Sequence, residues 1–95
     1  MFLYAIGTKG AKQKIGFSRD PEQRRKTLQT GNPEPLIVHY TFEIDDAKAS
    51  KFETFVHKEY NHKRLTGEWF AMTPTEVIAA MTFQEIMKET TLSML

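Results

Sequence analysis

Between Leu36 and Ile44 the sequence places an apolar side chain at every second position. Leu36, Val38, Tyr40, Phe42 and Ile44 fall on one face, with His39, Thr41 and Glu43 on the other. A period of two is the pattern of a half-buried β-strand, so the chain must build a sheet with a core against it. Two shorter segments supply partners. Phe2-Leu3-Tyr4-Ala5-Ile6 and Lys14-Ile15-Gly16-Phe17-Ser18 read as strands of a hairpin joined by the glycine-containing polar stretch Gly7 to Gln13. Gly16 is an odd residue for a strand interior, where glycine often marks the close approach of another group.

Helix signals fill the intervals. Asp20-Pro21-Glu22-Gln23 offers an N-cap, a proline at the first helical position and a glutamine to complete a capping box. Gly31 reads as the left-handed stop. Leu28 is the single large apolar residue of this helix and defines its docked face. Arg24 lies one turn earlier on that face and Arg25 on the other flank. An arginine on the docking face should reach into a cleft or meet a carboxylate. Asn32-Pro33-Glu34-Pro35 reads as a rigid turn. A second helix opens at Asp45 or Asp46 and runs to about Tyr60, with Ala49, Phe52, Val56 and Tyr60 on one arc. Glu53 and His57 lie at its margin, where a carboxylate is costly unless paired, hydrogen-bonded or metal-bound. Gly67 to Met72 reads as a short strand. Thr73-Pro74-Thr75-Glu76 starts a third helix, and Thr82-Phe83-Gln84-Glu85 repeats the box pattern, predicting a break near Thr82. The order β-β-α-β-α-β-α predicts one α/β domain over residues 1–95, with a small, mainly antiparallel sheet of three central strands and a short fourth.

Ninety-five residues leave no room for two independent cores. The absence of cysteine excludes disulfide scaffolds and thiolate metal or redox sites, and fits a cytoplasmic location. No apolar run is long enough for a membrane span, and Met1 to Ile6 is too short for a signal-peptide core. The net charge is only +1, yet seven basic residues against two acidic ones lie between Thr8 and Leu28. That skew points to a local anion-binding surface or to a solvated face.

Phe2-Leu3-Tyr4, then Lys14-Ile15-Gly16 about ten residues on, resembles the paired motifs of the GIY-YIG nuclease superfamily. Asp20-Pro21-Glu22-Gln23-Arg24 is similar to its arginine-bearing helix, and Glu53 to its helical glutamate. Leu28-Gln29-Thr30-Gly31-Asn32-Pro33 and Gly67-Glu68-Trp69-Phe70 resemble the compact, phage-type branch often labelled a DNA-binding domain. The likeness covers residues 2–72, leaving 73–95 as a C-terminal helical part. Two departures stand out: Lys14 replaces the tyrosine of the second motif, and the late asparagine of many members has no counterpart.

The resemblance implies hydrolysis of a DNA phosphodiester with one divalent ion, Mg²⁺ or Mn²⁺. Glu53 would be the metal ligand, Arg24 would hold the scissile phosphate, and Tyr4 would activate water. Lys14 would hold phosphate or lower the pKa of Tyr4. Arg24 and Glu53 could instead form a structural ion pair. His57 would be an edge histidine hydrogen-bonded within the fold, or a phosphate donor. Lys9, Lys12, Arg19, Arg25 and Lys26, with Lys63 and Arg64, would contact DNA phosphates. No recognition module is present, so little base specificity is expected. The leading reading is a metal-dependent endonuclease or nickase of a phage or mobile element. Its alternatives are a non-catalytic DNA-binding module and a small regulatory protein acting through protein contacts. Val77, Ile78, Met81, Phe83, Ile86 and Met87 cover more than one helical stripe, which would suit a homodimer through the C-terminal part.

Overall fold

A computed structural model describes residues 1–95. Four strands, β1 (Phe2–Gly7), β2 (Gln13–Ser18), β3 (Ile37–Glu43) and β4 (Trp69–Phe70), form one antiparallel sheet in the order β3-β1-β2-β4. The helices are α1 (Pro21–Gln29), α2 (Ala49–Glu59), α3 (Pro74–Ile86) and α4 (Lys88–Met94). This is the expected α/β domain, with the short fourth strand present and one more helix than expected. No helix is long and apolar enough to cross a membrane.

The central strand β1 serves both faces of the sheet. Leu3 and Ala5 point to one side, where α2 and α3 cover them, and join Ile15, Phe42, Phe52, Val56, Phe70 and Met81 in a cluster of 13 buried residues. Tyr4 and Ile6 point to the other, where they meet buried Leu36 and partly buried Leu28, Val38 and Trp69 beneath α1. Burial of a large apolar side chain contributes roughly 1.5–3 kcal/mol, so the α2–α3 side carries most of the stabilisation.

The strand with the clearest alternation does not keep its five apolar residues on one face. Ala5 pairs with Tyr40 but Ile6 pairs with Val38, leaving His39 as an extra residue in a β-bulge. The bulge exchanges faces: Tyr40, Phe42 and Ile44 pack on the large core, while Leu36 and Val38 pack with Tyr4 and Ile6. His39 is not a solvent-facing residue of a regular strand, because its Nε2 lies 3.0 Å from the Thr8 carbonyl oxygen.

Asp20 caps α1 by accepting from the Gln23 amide at 3.1 Å, with Pro21 at the first helical position. Gly31 does not supply a left-handed stop, since Gly67 is the residue with positive φ. The chain leaves α1 through Gln29 instead. Its side-chain amide donates to the carbonyls of Asn32 and Glu34 at 3.1 and 2.9 Å, and its Oε1 accepts from Leu36 N–H at 2.8 Å. Asp45 caps a short 3₁₀ turn (Asp46–Lys48) that leads into α2. Thr73 and Glu76 form a complete capping box at the start of α3. The expected break at Thr82 is absent, and α3 continues to Ile86. The Thr82 hydroxyl donates to the Ile78 carbonyl at 2.7 Å, a bond made from within a helix, and buried Met81 and Gln84 anchor this stretch on both sides of the box.

Candidate active site

The register of the sheet assembles the site. Tyr4 lies directly opposite Gly16, Ile6 opposite Lys14, and Lys14 opposite Trp69. Residues opposite one another share a face, so Tyr4, Gly16, Lys14 and Trp69 all lie on the α1 side. Gly16 is required by the fully buried Tyr4 ring. A Cβ at position 16 would stand 2.5 Å from the Tyr4 hydroxyl oxygen and 2.8 Å from Cζ. The phenol therefore lies across bare backbone, and its hydroxyl reaches past β2 towards the groups beyond that strand.

Those groups come from three elements. Arg24, on α1, brings its guanidinium near enough to the Tyr4 hydroxyl to act on the phenol. Glu53, on α2, and Glu68, just before β4, are close enough for their charges to act on the phenol. Arg24 and Glu53, which the resemblance groups with Tyr4, both lie within electrostatic reach of its hydroxyl. Arg24 meets the phenol, and the ion pairs of the molecule include none between Arg24 and Glu53. Burial raises the Tyr4 pKa above its ordinary value of 10.0, and Glu68 and Glu53 add to the rise. The nearby guanidinium of Arg24 opposes it without cancelling it. Tyr4 is therefore a neutral phenol at neutral pH, not the acidified one expected.

Glu53 is held by the open edge of β2. Beyond β4 that edge has unpaired backbone groups, and α2 lies along it. The Ile15 carbonyl accepts from His57 Nε2 at 2.8 Å, and the Phe17 amide lies near enough to the Glu53 carboxylate to favour its charged form. Side chains four residues apart share a helix face, so one stripe of α2 completes the edge of the sheet. His57 is buried beside Phe70, with ring centroids 5.2 Å apart. It is thus an edge histidine engaged within the fold rather than a free phosphate donor. Burial first, and then the charge of Glu68, push the Glu53 pKa up to about 7, while Lys14 and the Phe17 amide restrain the rise.

Lys14 forms an ion pair with Glu68 at 2.9 Å, and its ammonium lies 5.8 Å from the centroid of the Trp69 ring. It acts on Glu53 and is not among the groups that shift Tyr4. Glu68 is the site residue that the sequence reading missed. Its signal was a lysine in a buried strand, which needs a carboxylate nearby. No group of three or more His, Asp or Glu side chains is arranged to hold a metal. The carboxylates near the phenol are Glu53 and Glu68.

The remaining basic candidates separate. Lys9, Lys12 and Lys26 are exposed and outside the ion pairs. Arg19 pairs with Asp46 at 3.0 Å, Arg25 with Glu22 at 2.8 Å and Lys63 with Glu76 at 3.2 Å. Arg64 lies over the Phe70 ring, 5.5 Å from its centroid, and bridges to that strand. Lys63 and Arg64 are thus engaged within the fold rather than brought to the phenol.

Comparison with curated proteins and with solved structures returns no match. A family model does match, over residues 1–85, which covers all four strands and the first two and most of the third helix. That family is loosely associated with nuclease or DNA-binding function. On this match the chain belongs to the T5orf172 domain family.

Proposed function

We propose that the chain is a divalent-metal-dependent DNA endonuclease or nickase of GIY-YIG type that hydrolyses phosphodiester bonds. The observation that carries the reading is Arg24, outside every ion pair, standing beside the Tyr4 phenol, with the charge of Glu53 within reach of the same hydroxyl. Structural arginines are usually matched to carboxylates. One held against a neutral phenol keeps its positive charge for an anionic ligand such as a phosphate.

The donors fit a hard divalent cation. Glu53 is partly desolvated, has a pKa near 7, and forms no ion pair of its own, since Lys14 pairs with Glu68. A bound cation would relieve both carboxylates. With one or two protein carboxylates, Mg²⁺ or Mn²⁺ would keep most of its waters and take phosphate oxygens, which suits Mg²⁺ in particular. When bound, the ion supplies Lewis-acid polarisation of the phosphoryl group.

The chain's own residues do the rest. Arg24 holds the phosphate and stabilises the charge that develops on it. Tyr4, neutral and fixed over Gly16, orients the attacking water and relays its proton. Lys14, tied to Glu68, sets the position of that carboxylate and moderates the charge around Glu53. Lys9, Lys12 and Lys26 add sequence-independent phosphate contacts.

Supercoiled plasmid with Mg²⁺ or Mn²⁺ tests the proposal. The native chain should give relaxed circles, and Arg24→Ala and Glu53→Gln should each lower the rate by about 10²-fold or more. Equal rates in all three would mean a contaminating activity and sink the enzyme reading. Intact plasmid with retained, salt-sensitive retardation of DNA would favour a non-catalytic DNA-binding module. The Lys14–Glu68 ion pair, which occupies the ammonium standing where the motif has a tyrosine, is the observation on that side.

A further inference from the structure

A cavity of about 430 Å³ opens beside the site on the same face of the sheet. Trp69 forms part of its wall. Leu65 and Thr66, Asn32 and Glu34 of the turn after α1, and Lys12 complete the lining. The volume lies in the range of small-molecule sites, roughly 300–1,000 Å³. It is large enough for a nucleobase with its sugar.

The walls are fixed before any ligand arrives. Gln29 ties the turn through its three backbone hydrogen bonds, and Asn32 Oδ1 accepts from Glu34 N–H at 3.1 Å, leaving the Asn32 Nδ2 group as a donor. Trp69 is held by its strand pairing with Lys14 and by packing against the Tyr4 and Leu36 cluster. The charges orient an occupant. Lys12 is the cation of the lining and Glu34 its carboxylate, while Lys14 near the Trp69 ring is taken up by Glu68. A flat, hydrogen-bonding group against Trp69 and Asn32, with its anion beside Lys12, is the shape and charge of a nucleotide.

We infer that this cavity takes one unpaired base of a DNA strand whose phosphates cross the Tyr4–Arg24–Glu53 site, so that the chain selects single-stranded or branched DNA. The placement of the strand rests on the nuclease reading above; the cavity and its walls do not. A base within a duplex is stacked and paired and cannot enter, whereas a base already unpaired avoids the cost of extrusion. Aromatic stacking serves any base, so the selection is for structure and not for sequence.

Trp69 is the single tryptophan of the chain, so its emission reports occupancy. The test titrates Glu53→Gln protein with a short oligothymidylate and, separately, with a blunt duplex of equal length. The oligothymidylate should quench Trp69, and the duplex should leave it unchanged. Asn32→Asp, which keeps the turn's acceptor and adds a charge to the wall, should weaken that quenching. Folded Trp69→Leu protein should bind labelled oligothymidylate about tenfold more weakly, and if that variant does not fold, the Asn32→Asp titration decides. Equal quenching by both DNAs, no quenching, or undiminished quenching in Asn32→Asp would overturn the inference. Plasmid cleavage without selective quenching would remove the cavity and leave the nuclease reading. Selective quenching without cleavage would do the reverse.

Discussion

The two faces of one sheet are built on opposite principles. Under α2 and α3, Leu3, Ala5, Ile15 and Phe42 meet apolar partners and are almost wholly buried. Under α1, β1 and β2 present Tyr4, Gly16 and Lys14, and α1 itself buries no residue. The first face holds the fold together. The second uses that rigidity to keep a desolvated phenol, a half-buried carboxylate and an ion pair close together, an arrangement that would not stabilise a protein by itself. Strand β1 couples them, because alternate residues of a single strand belong to different faces.

Breaking the core face should have the largest effect. Phe52→Ala removes a fully buried ring that packs edge-on against Phe42 and should lower stability by about 3–5 kcal/mol, measured by urea unfolding. Gly16→Ala acts on the other face. The added methyl must displace the Tyr4 ring, with an expected loss of about 1–3 kcal/mol. Cleavage should fall far more than stability, since the phenol leaves its place beside Arg24. A variant that kept full activity would show that Tyr4 need not sit where it does.

Glu53→Gln should have the opposite sign. The folded-state pKa of Glu53 is about 7, above its ordinary 4.5, so the native state retains a proton that the unfolded state has lost. Stability therefore falls as pH rises from the ordinary value to about 7. The glutamine variant escapes this fall. It should be more stable than the native chain by about 1–2 kcal/mol at about pH 8, allowing for solvent screening of a half-exposed carboxylate. Below about pH 4 the two should coincide. Equal stability at both pH values would mean that the carboxylate carries no desolvation strain. The smallest effect should come from outside both faces. Arg19→Ala breaks an exposed pair with Asp46 and should change stability by less than about 0.5 kcal/mol.

The difference between the faces also decides what was legible in the sequence. The core was readable because it obeys periodicity, as in Ala49, Phe52 and Val56 along α2. The candidate site showed through local anomalies, a glycine inside a strand, an arginine on a docking face and a glutamate at a core margin, and through the family resemblance that grouped them. Each anomaly had a physical cause. Gly16 makes room for Tyr4, Arg24 reaches its hydroxyl, and Glu53 takes up the edge of β2. What escaped depends on relations that no single segment contains. The bulge at His39 is one residue too many against β1, invisible in an alternation counted along β3 alone. Glu68 matters because β4 lies beside β2, and the break in α3 falls at Met87 because tertiary packing overrides a second capping pattern.

We propose Glu53 as a half-buried carboxylate that takes a divalent cation. Its side-chain carboxyl carbon, followed by NMR through a pH titration with and without Mg²⁺, reads that state directly. The predicted midpoint is near 7 in the metal-free protein, falling by a unit or more when Mg²⁺ is added and remaining high with Mg²⁺ absent in Arg24→Ala. A midpoint at the ordinary 4.5, unmoved by Mg²⁺, would contradict it.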